Sequence, residues 1–263
     1  MQTFMTSRTH NASPWTAGAK PNPRARLRLF CFPYAGGAAT IYRGWQSALP
    51  SHVEVLPVQL PGRGRRLNEP AYTSVGELVP AAAEALRPYF DMPFVLFGHS
   101  MGATISFELA RHLRRERGLA PRRLLVSGRR APHAPGTSPY THDLPEPEFI
   151  KALRDLNGTP GEVTEHPELM ALMLPLLRAD FALSETYRCG EVTPLECPLS
   201  VYGGTRDADV TRAQLEAWRE LTTGPFSLRL FPGDHFFLTS SEPLLLKAVA
   251  QELEQALASA ARA

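Results

Sequence analysis

Short apolar runs alternate with longer amphipathic segments along most of this chain. Residues 27–32, 53–58, 94–97, 124–127, 199–204 and 226–231 are brief and mostly rich in Val, Leu and Phe, which predicts strands. Between them, 39–49, 74–90, 211–221 and 242–257 read as helices, and another helix follows Gly102. Ser74, with Glu77 three residues on, predicts a capped start for the second of these. Such alternation implies an α/β fold, with a mostly parallel central sheet and helices on both faces. The rhythm breaks from 134 to 193. Two helical pieces, 146–157 and 167–187, occupy that gap, and no convincing strand does. The second piece is apolar on nearly every face, so it is expected either to be buried all round or to cover a hydrophobic chamber, with a kink at Pro175. The expected plan is a core of 27–133 and 194–260, a helical lid insertion at 134–193, and a flexible N-terminal tail at 1–26 containing Pro14, Pro21 and Pro23.

The strand at 94–97 runs directly into Gly98-His99-Ser100-Met101-Gly102 and then into a helix. This order is the nucleophile elbow of an α/β-hydrolase fold. The turn is too sharp for a side chain at either flank, and it sets the Ser100 hydroxyl at the tip, beside the positive end of the helix dipole. The five-residue pattern alone is common; the strand before it and the helix after it make it specific. Pro33-Tyr34-Ala35-Gly36-Gly37 follows the first strand. Its glycines invite a phosphate-cradle reading, but the G-x-x-x-x-G-K-[ST] spacing is absent. The loop instead stands where hydrolases of this fold supply an oxyanion amide, so the Tyr34 N–H is expected to join that of Met101, with Ala35 as the alternative.

A serine is a weak nucleophile without a positioned base. Among histidines beyond Ser100, His112 lies in the elbow helix, and His133, His142 and His166 lie in or beside the insertion. His235 alone follows a predicted strand, in Gly233-Asp234-His235-Phe236-Phe237, at the carboxyl edge where α/β sheets place their chemistry. His99 is expected to be a packed neighbour. The acid should leave another strand between nucleophile and base. Asp207 does so after Tyr202-Gly203-Gly204, with Asp209 as runner-up; Asp234 is better placed to brace its own loop, and Glu108 and Asp180 fall within helical patterns.

Composition narrows the setting without changing this picture. The chain has 263 residues, enough for one large core, with 43% hydrophobic and 21% charged residues and a net charge of +2. That balance gives no sign of a nucleic-acid partner. Cys31, Cys189 and Cys197 are too few and scattered for a disulfide framework or zinc site, so a reduced, cytoplasmic protein is expected. No run of 18 apolar residues spans a membrane, and no secretory h-region opens the chain. Acyl transfer by serine, histidine and aspartate needs no metal or redox cofactor.

Six segments occur in an order that carries a family likeness. They are Phe32-Pro33-Tyr34-Ala35-Gly36-Gly37, Gln59-Leu60-Pro61-Gly62-Arg63, the elbow, Leu174-Pro175-Leu176-Leu177-Arg178-Ala179-Asp180-Phe181, Gly203-Gly204 through Asp207, and Gly233 to Phe237. Together they resemble the type II (external) thioesterases of polyketide synthase and nonribosomal peptide synthetase pathways, from about Leu27 to Leu257. The Leu-Pro-Gly-Arg and Leu-Arg-Ala-Asp-Phe segments discriminate most. The resemblance implies a triad of Ser100, Asp207 and His235, a helical lid, and an acyl thioester on the phosphopantetheine arm of an acyl- or peptidyl-carrier protein as substrate. It also implies an editing role, in which stalled or wrongly primed acyl groups are removed. Tyr34 stands where the family usually has histidine or phenylalanine; because the amide acts, activity need not be lost. Arg63, Arg65 and Arg66, and the cluster running from Arg111 to Arg117, are candidate docking charges for an acidic carrier. The competing readings are a small-molecule esterase or lipase using the same triad, an acyltransferase, and a binding module with a spent site.

Overall fold

The structure, a computed structural model, describes residues 13–16, 19, 21–134, 140–156, 166–191 and 193–260. Among the described residues there are six strands: β1 (Leu27–Phe32), β2 (Val53–Pro57), β3 (Phe94–His99), β4 (Arg123–Ser127), β5 (Leu199–Gly204) and β6 (Phe226–Phe231). They pair in parallel in the order β2-β1-β3-β4-β5-β6. β1 therefore lies between β2 and β3, and the chain leaves it first toward one edge and then back toward the other. Such a reversal leaves a crevice beyond the strands' carboxyl ends.

Side chains alternate across the sheet and build a core on each face. Phe30, Phe32, Leu96 and Leu124 face α2 (Val75–Ala85) and α3 (Met101–Arg117). Leu29, Cys31, Val95 and Phe97 face Trp45 of α1 (Trp45–Ala48) and Leu245, Val249 and Leu253 of α8 (Glu242–Ala260). Burial on both faces is what the unbroken apolar runs required, and each such side chain contributes roughly 1.5–3 kcal/mol. β6 alternates half-buried with exposed positions before its last residue, as an edge strand should.

Three expected helices are shorter than their patterns. Residues 39–49 divide into a 3-10 turn (Ala39–Tyr42) and α1, with Gly44 between. Residues 74–90 give α2, capped by Ser74 accepting from Gly76 N–H, and then a separate turn at Arg87–Tyr89 where Pro88 interrupts the pattern. Residues 211–221 give α6 (Arg212–Glu216), opened by a Thr211–Gln214 capping box, and a 3-10 turn.

α4 (Glu146–Asp155) and α5 (Pro167–Thr186) occupy the interruption. α5 continues through Pro175 and is not buried all round, because Leu169 and Leu172 are 46% and 56% exposed. Met170, Leu174 and Leu177 join Phe149 and Leu153 in a small cluster separate from the two sheet cores. Residues 135–139, 157–165 and 192 of the expected insertion lie outside the described residues.

The stretch expected to be a flexible tail differs where it is described. Trp15 is buried at 6% exposure, with the Arg66 guanidinium 4.5 Å from its ring centre. Its carbonyl accepts from Gln59 N–H at 2.8 Å, and Thr16 Oγ1 bonds the Tyr89 hydroxyl at 2.9 Å. One large aromatic side chain and two buried hydrogen bonds offset the ordering cost of a short segment. Residues 1–12 lie outside the described residues.

Candidate active site

The elbow is built by close approach of backbone. A Cβ on Gly98 would fall 2.0 Å from the Gly102 carbonyl oxygen, and one on Gly102 would fall 2.1 Å from that of Phe32. Any side chain at either position would push the helix off the strand or the elbow off β1. Ser100 carries the strain of the turn, with φ 53° and ψ −115°, and is the only non-glycine residue of positive φ among the described residues. Its N–H is held by the Ser127 carbonyl at 2.8 Å, so the end of β4 braces the turn.

Three side chains distant in sequence meet there. His235 Nε2 lies 3.1 Å from Ser100 Oγ, and His235 Nδ1 lies 2.9 Å from Asp207 Oδ2. A carboxylate only accepts, so Nδ1 carries the proton and Nε2 is left to accept from the serine hydroxyl. The other carboxylate oxygen, Oδ1, accepts from the N–H groups of Asp209 and Val210 at 2.9 and 3.2 Å. The Asp207 side chain is 1% exposed and that of His235 13%. Gly204 lets the β5 and His235 loops close on each other, since a Cβ there would sit 2.2 Å from the Asp234 carbonyl oxygen. Asp234 braces its own loop, accepting from Phe236 N–H at 2.9 Å ahead of α7 (Phe237–Ser240).

Asp209 supplies its backbone, not its carboxylate, to this arrangement. Partial burial pushes its carboxyl pKa up; His235 opposes that shift and Asp207 adds to it. Donor atoms of Asp207, Asp209 and His235 lie within 4.8 Å of one another, which is metal-ligand spacing. Both Asp207 oxygens and both His235 nitrogens are engaged in the bonds above, so the group reads as a hydrogen-bonded relay.

Three backbone donors of the expected oxyanion set are free. Among the described residues, the N–H groups of Tyr34, Ala35 and Met101 have no acceptor, whereas those of Gly36 and Gly37 are taken by Asp180 and by the Tyr34 carbonyl. Met101 opens α3, where the first amides have no partner within the helix.

His99 is a packed neighbour, as expected. It is fully buried, 2.9 Å from Ser127 Oγ through Nδ1, with its ring among Tyr34, His235 and Phe237. Gly128, at φ 59°, leaves room for that ring, because a Cβ would lie 2.7 Å from His99 Cε1. Burial, reinforced by the nearby His235, holds the imidazole pKa well below the usual histidine range. The unfolded chain therefore binds a proton at this residue below about pH 6.5 that the folded chain refuses, so stability falls with falling pH by up to about 1.4 kcal/mol per unit. His99→Gln should flatten that slope by one proton in urea melts between pH 7 and 5; an unchanged slope assigns the proton elsewhere.

The arginines considered for docking are largely committed. Arg63 and Arg66 are buried, the first against Asp180 and the second against Glu69 and Trp15. Arg114 donates to the Thr193 and Pro194 carbonyls, and Arg117 pairs with Glu84. The Arg63–Asp180 pair was not foreseen. Its signal was a lone aspartate sharing a helix face with Leu176, Leu177 and Leu183, which calls for a buried partner.

Known proteins resemble this chain along nearly its whole length. A thioesterase domain family model matches residues 27–257. Linear gramicidin dehydrogenase LgrE of Brevibacillus parabrevis is 47% identical over 254 residues, covering 95% of this chain and 97% of its own. Thioesterase PikA5 of Streptomyces venezuelae is 39% identical over 238 residues, covering 89% and 84%. The solved structure of RedJ, a thioesterase from the prodiginine pathway of Streptomyces coelicolor, superposes with a TM-score of 0.81 at 43% identity, over 87% of this chain and 86% of that one. LgrE bears a dehydrogenase name, yet the present chain has no Gly-x-Gly-x-x-Gly fingerprint for a dinucleotide. A family match from the first strand to the closing helix and a solved thioesterase of the same architecture lead to one assignment: the chain belongs to the thioesterase family and has the α/β-hydrolase fold.

Proposed function

We propose that this thioesterase hydrolyses acyl groups from the phosphopantetheine arm of acyl- or peptidyl-carrier proteins, as an editing enzyme of polyketide or nonribosomal peptide assembly. The observation that carries the catalytic reading is the unbroken relay Asp207–His235–Ser100, with bonds of 2.9 and 3.1 Å. Asp207 fixes the imidazole tautomer, and His235 takes the Ser100 proton as Oγ attacks the thioester carbonyl. The amides of Met101 and Tyr34, with Ala35 as alternative, receive the oxyanion, each contributing about 3 kcal/mol by comparison with other donors. The pantetheine thiol leaves with the proton from His235. Water, deprotonated by the same histidine, then releases the acid and restores Ser100.

PikA5 and RedJ, each named a thioesterase, support the thioester reading over a small-molecule esterase. We assign α4 and α5 the part of a lid over the acyl site. A cytoplasmic setting fits three cysteines without disulfides, and no described helix is long and apolar enough to cross a membrane. The test is a panel of acylated carrier proteins, read by mass spectrometry before and after adding enzyme, beside oxygen esters of the same acyl groups. Carrier thioesters should turn over with the higher kcat/KM and yield free acid. Ester turnover far above thioester turnover restores the esterase reading, and transfer to a second thiol makes the protein an acyltransferase.

A further inference from the structure

The loop that carries two of the free amides, those of Tyr34 and Ala35, is held from outside the catalytic relay. Tyr34 to Gly37 form a tight turn closed by Gly37 N–H donating to the Tyr34 carbonyl at 2.9 Å, with Gly36 at φ 75° in its third position. Positive φ there is the mark of a type II turn, which differs from type I by a flip of its central peptide. That peptide's N–H, on Gly36, donates to Asp180 Oδ2 at 2.7 Å. Flipping it would bring the Ala35 carbonyl oxygen toward the carboxylate, an acceptor facing an acceptor. The bond therefore selects one form of the turn.

Asp180 belongs to α5, and Arg63 joins it to the loop after β2. Arg63 Nη1 and Nη2 grip the two carboxylate oxygens at 2.8 and 2.7 Å, and Nη1 also donates to the Gly37 carbonyl at 3.0 Å. Both side chains are essentially inaccessible, at 4% and 1% exposure. A buried pair of this kind is a costly way to gain stability, since apolar residues of similar volume often do as well or better. Its distinctive result is geometric: the peptide groups of Gly36 and Gly37 are held at N–H and at C=O together. The same face of α5 rests on glycine. A Cβ on Gly36 would lie 2.7 Å from Leu177 Cδ2, and one on Gly62 would lie 3.2 Å from Leu176 Cδ1.

We infer that Asp180 and Arg63 are positioning residues that set the oxyanion loop through the lid helix, so that the oxyanion site is complete only while this turn of α5 is seated. The inference rests on the proposed oxyanion role of Tyr34 or Ala35. It makes movement of the lid and assembly of the site one event, because α5 cannot leave Gly36 without releasing the turn. Neither residue touches the reacting atoms, so their loss acts on kcat. A displacement of about 1 Å at such a loop is enough for a 100-fold effect.

The experiment measures kcat and KM for a short acyl pantetheine thioester, thermal midpoints, and affinity for an alkylboronic acid. The boronate's tetrahedral adduct on Ser100 places an oxygen where the carbonyl oxygen would sit. Asp180→Asn is expected to lower kcat about 10- to 100-fold with KM within about threefold, and to weaken the boronate in parallel. The paired replacement Arg63→Met with Asp180→Leu removes both charges and should melt above either single variant, yet keep the low kcat. Recovery of kcat together with the midpoint would make the pair merely structural and overturn the inference. A rise in KM alone in Asp180→Asn would overturn it too, and decides the matter if the paired variant does not fold. Wild-type hydrolysis that is insensitive to Ser100→Ala would instead reject the underlying catalytic reading.

Discussion

Ser100→Ala is expected to lower thioester hydrolysis by about 10,000-fold or more while leaving the protein folded. The relay ends at Oγ, and no other hydroxyl or thiol is placed against His235 Nε2 among the described residues. Alanine keeps the Cβ and tolerates the same φ of 53° at no greater cost than serine, and the bond from residue 100 N–H to the Ser127 carbonyl is a backbone bond that survives. The thermal midpoint should therefore stay close to that of the wild type. Residual turnover would come from the oxyanion amides acting on water. The amides and the lid do not depend on Oγ, so an acylated carrier should still bind, with a Kd measurable by calorimetry because the substrate now persists. Hydrolysis within tenfold of wild type would mean that the nucleophile is another group.

Asp207→Asn should cost nearly as much, about 10,000-fold in kcat, and Asp209→Asn less than about threefold. Asparagine can keep Oδ1 accepting from Asp209 and Val210, which preserves the turn. In place of Oδ2 it presents an NH2 group to His235. The imidazole must then accept at Nδ1 and carry its proton on Nε2, so it donates to the serine and has no site for the serine's proton. Asp209 offers only its amide to the relay, and that amide is the same in asparagine. Stopped-flow single turnovers of the two variants on one acyl carrier give the comparison directly, and the opposite ranking would move the acid to Asp209.

The strands were legible because burial on both sides of a parallel sheet leaves little room for polar residues, and a run such as Phe94-Val95-Leu96-Phe97 is its trace. Gly98 and Gly102 were legible for a harder reason: approach within 2.1 Å of neighbouring oxygens admits no side chain. His235 followed from its place after a strand, and the same argument favoured Asp207 without removing Asp209. Trp15 was not legible. A tryptophan among prolines and polar residues reads as linker until the groove that receives it, formed with Arg66 and Gln59, exists. The exposure of Leu169 and Leu172, which rules out the first of the two readings of that helix, was not legible for the complementary reason, since helical spacing gives a face but not what covers it.

Local pattern, then, was sufficient for the order of strands and helices, the shape of the elbow and the serine at its tip, since each depends on neighbours within a few residues. Which acid bonds the base, which amides stay unpaired, and how Asp180 reaches a loop 144 positions away were settled only by packing. Those are distances between separate strand ends and a helix laid across them, and they have no value until the sheet has closed its order and brought the ends to one edge.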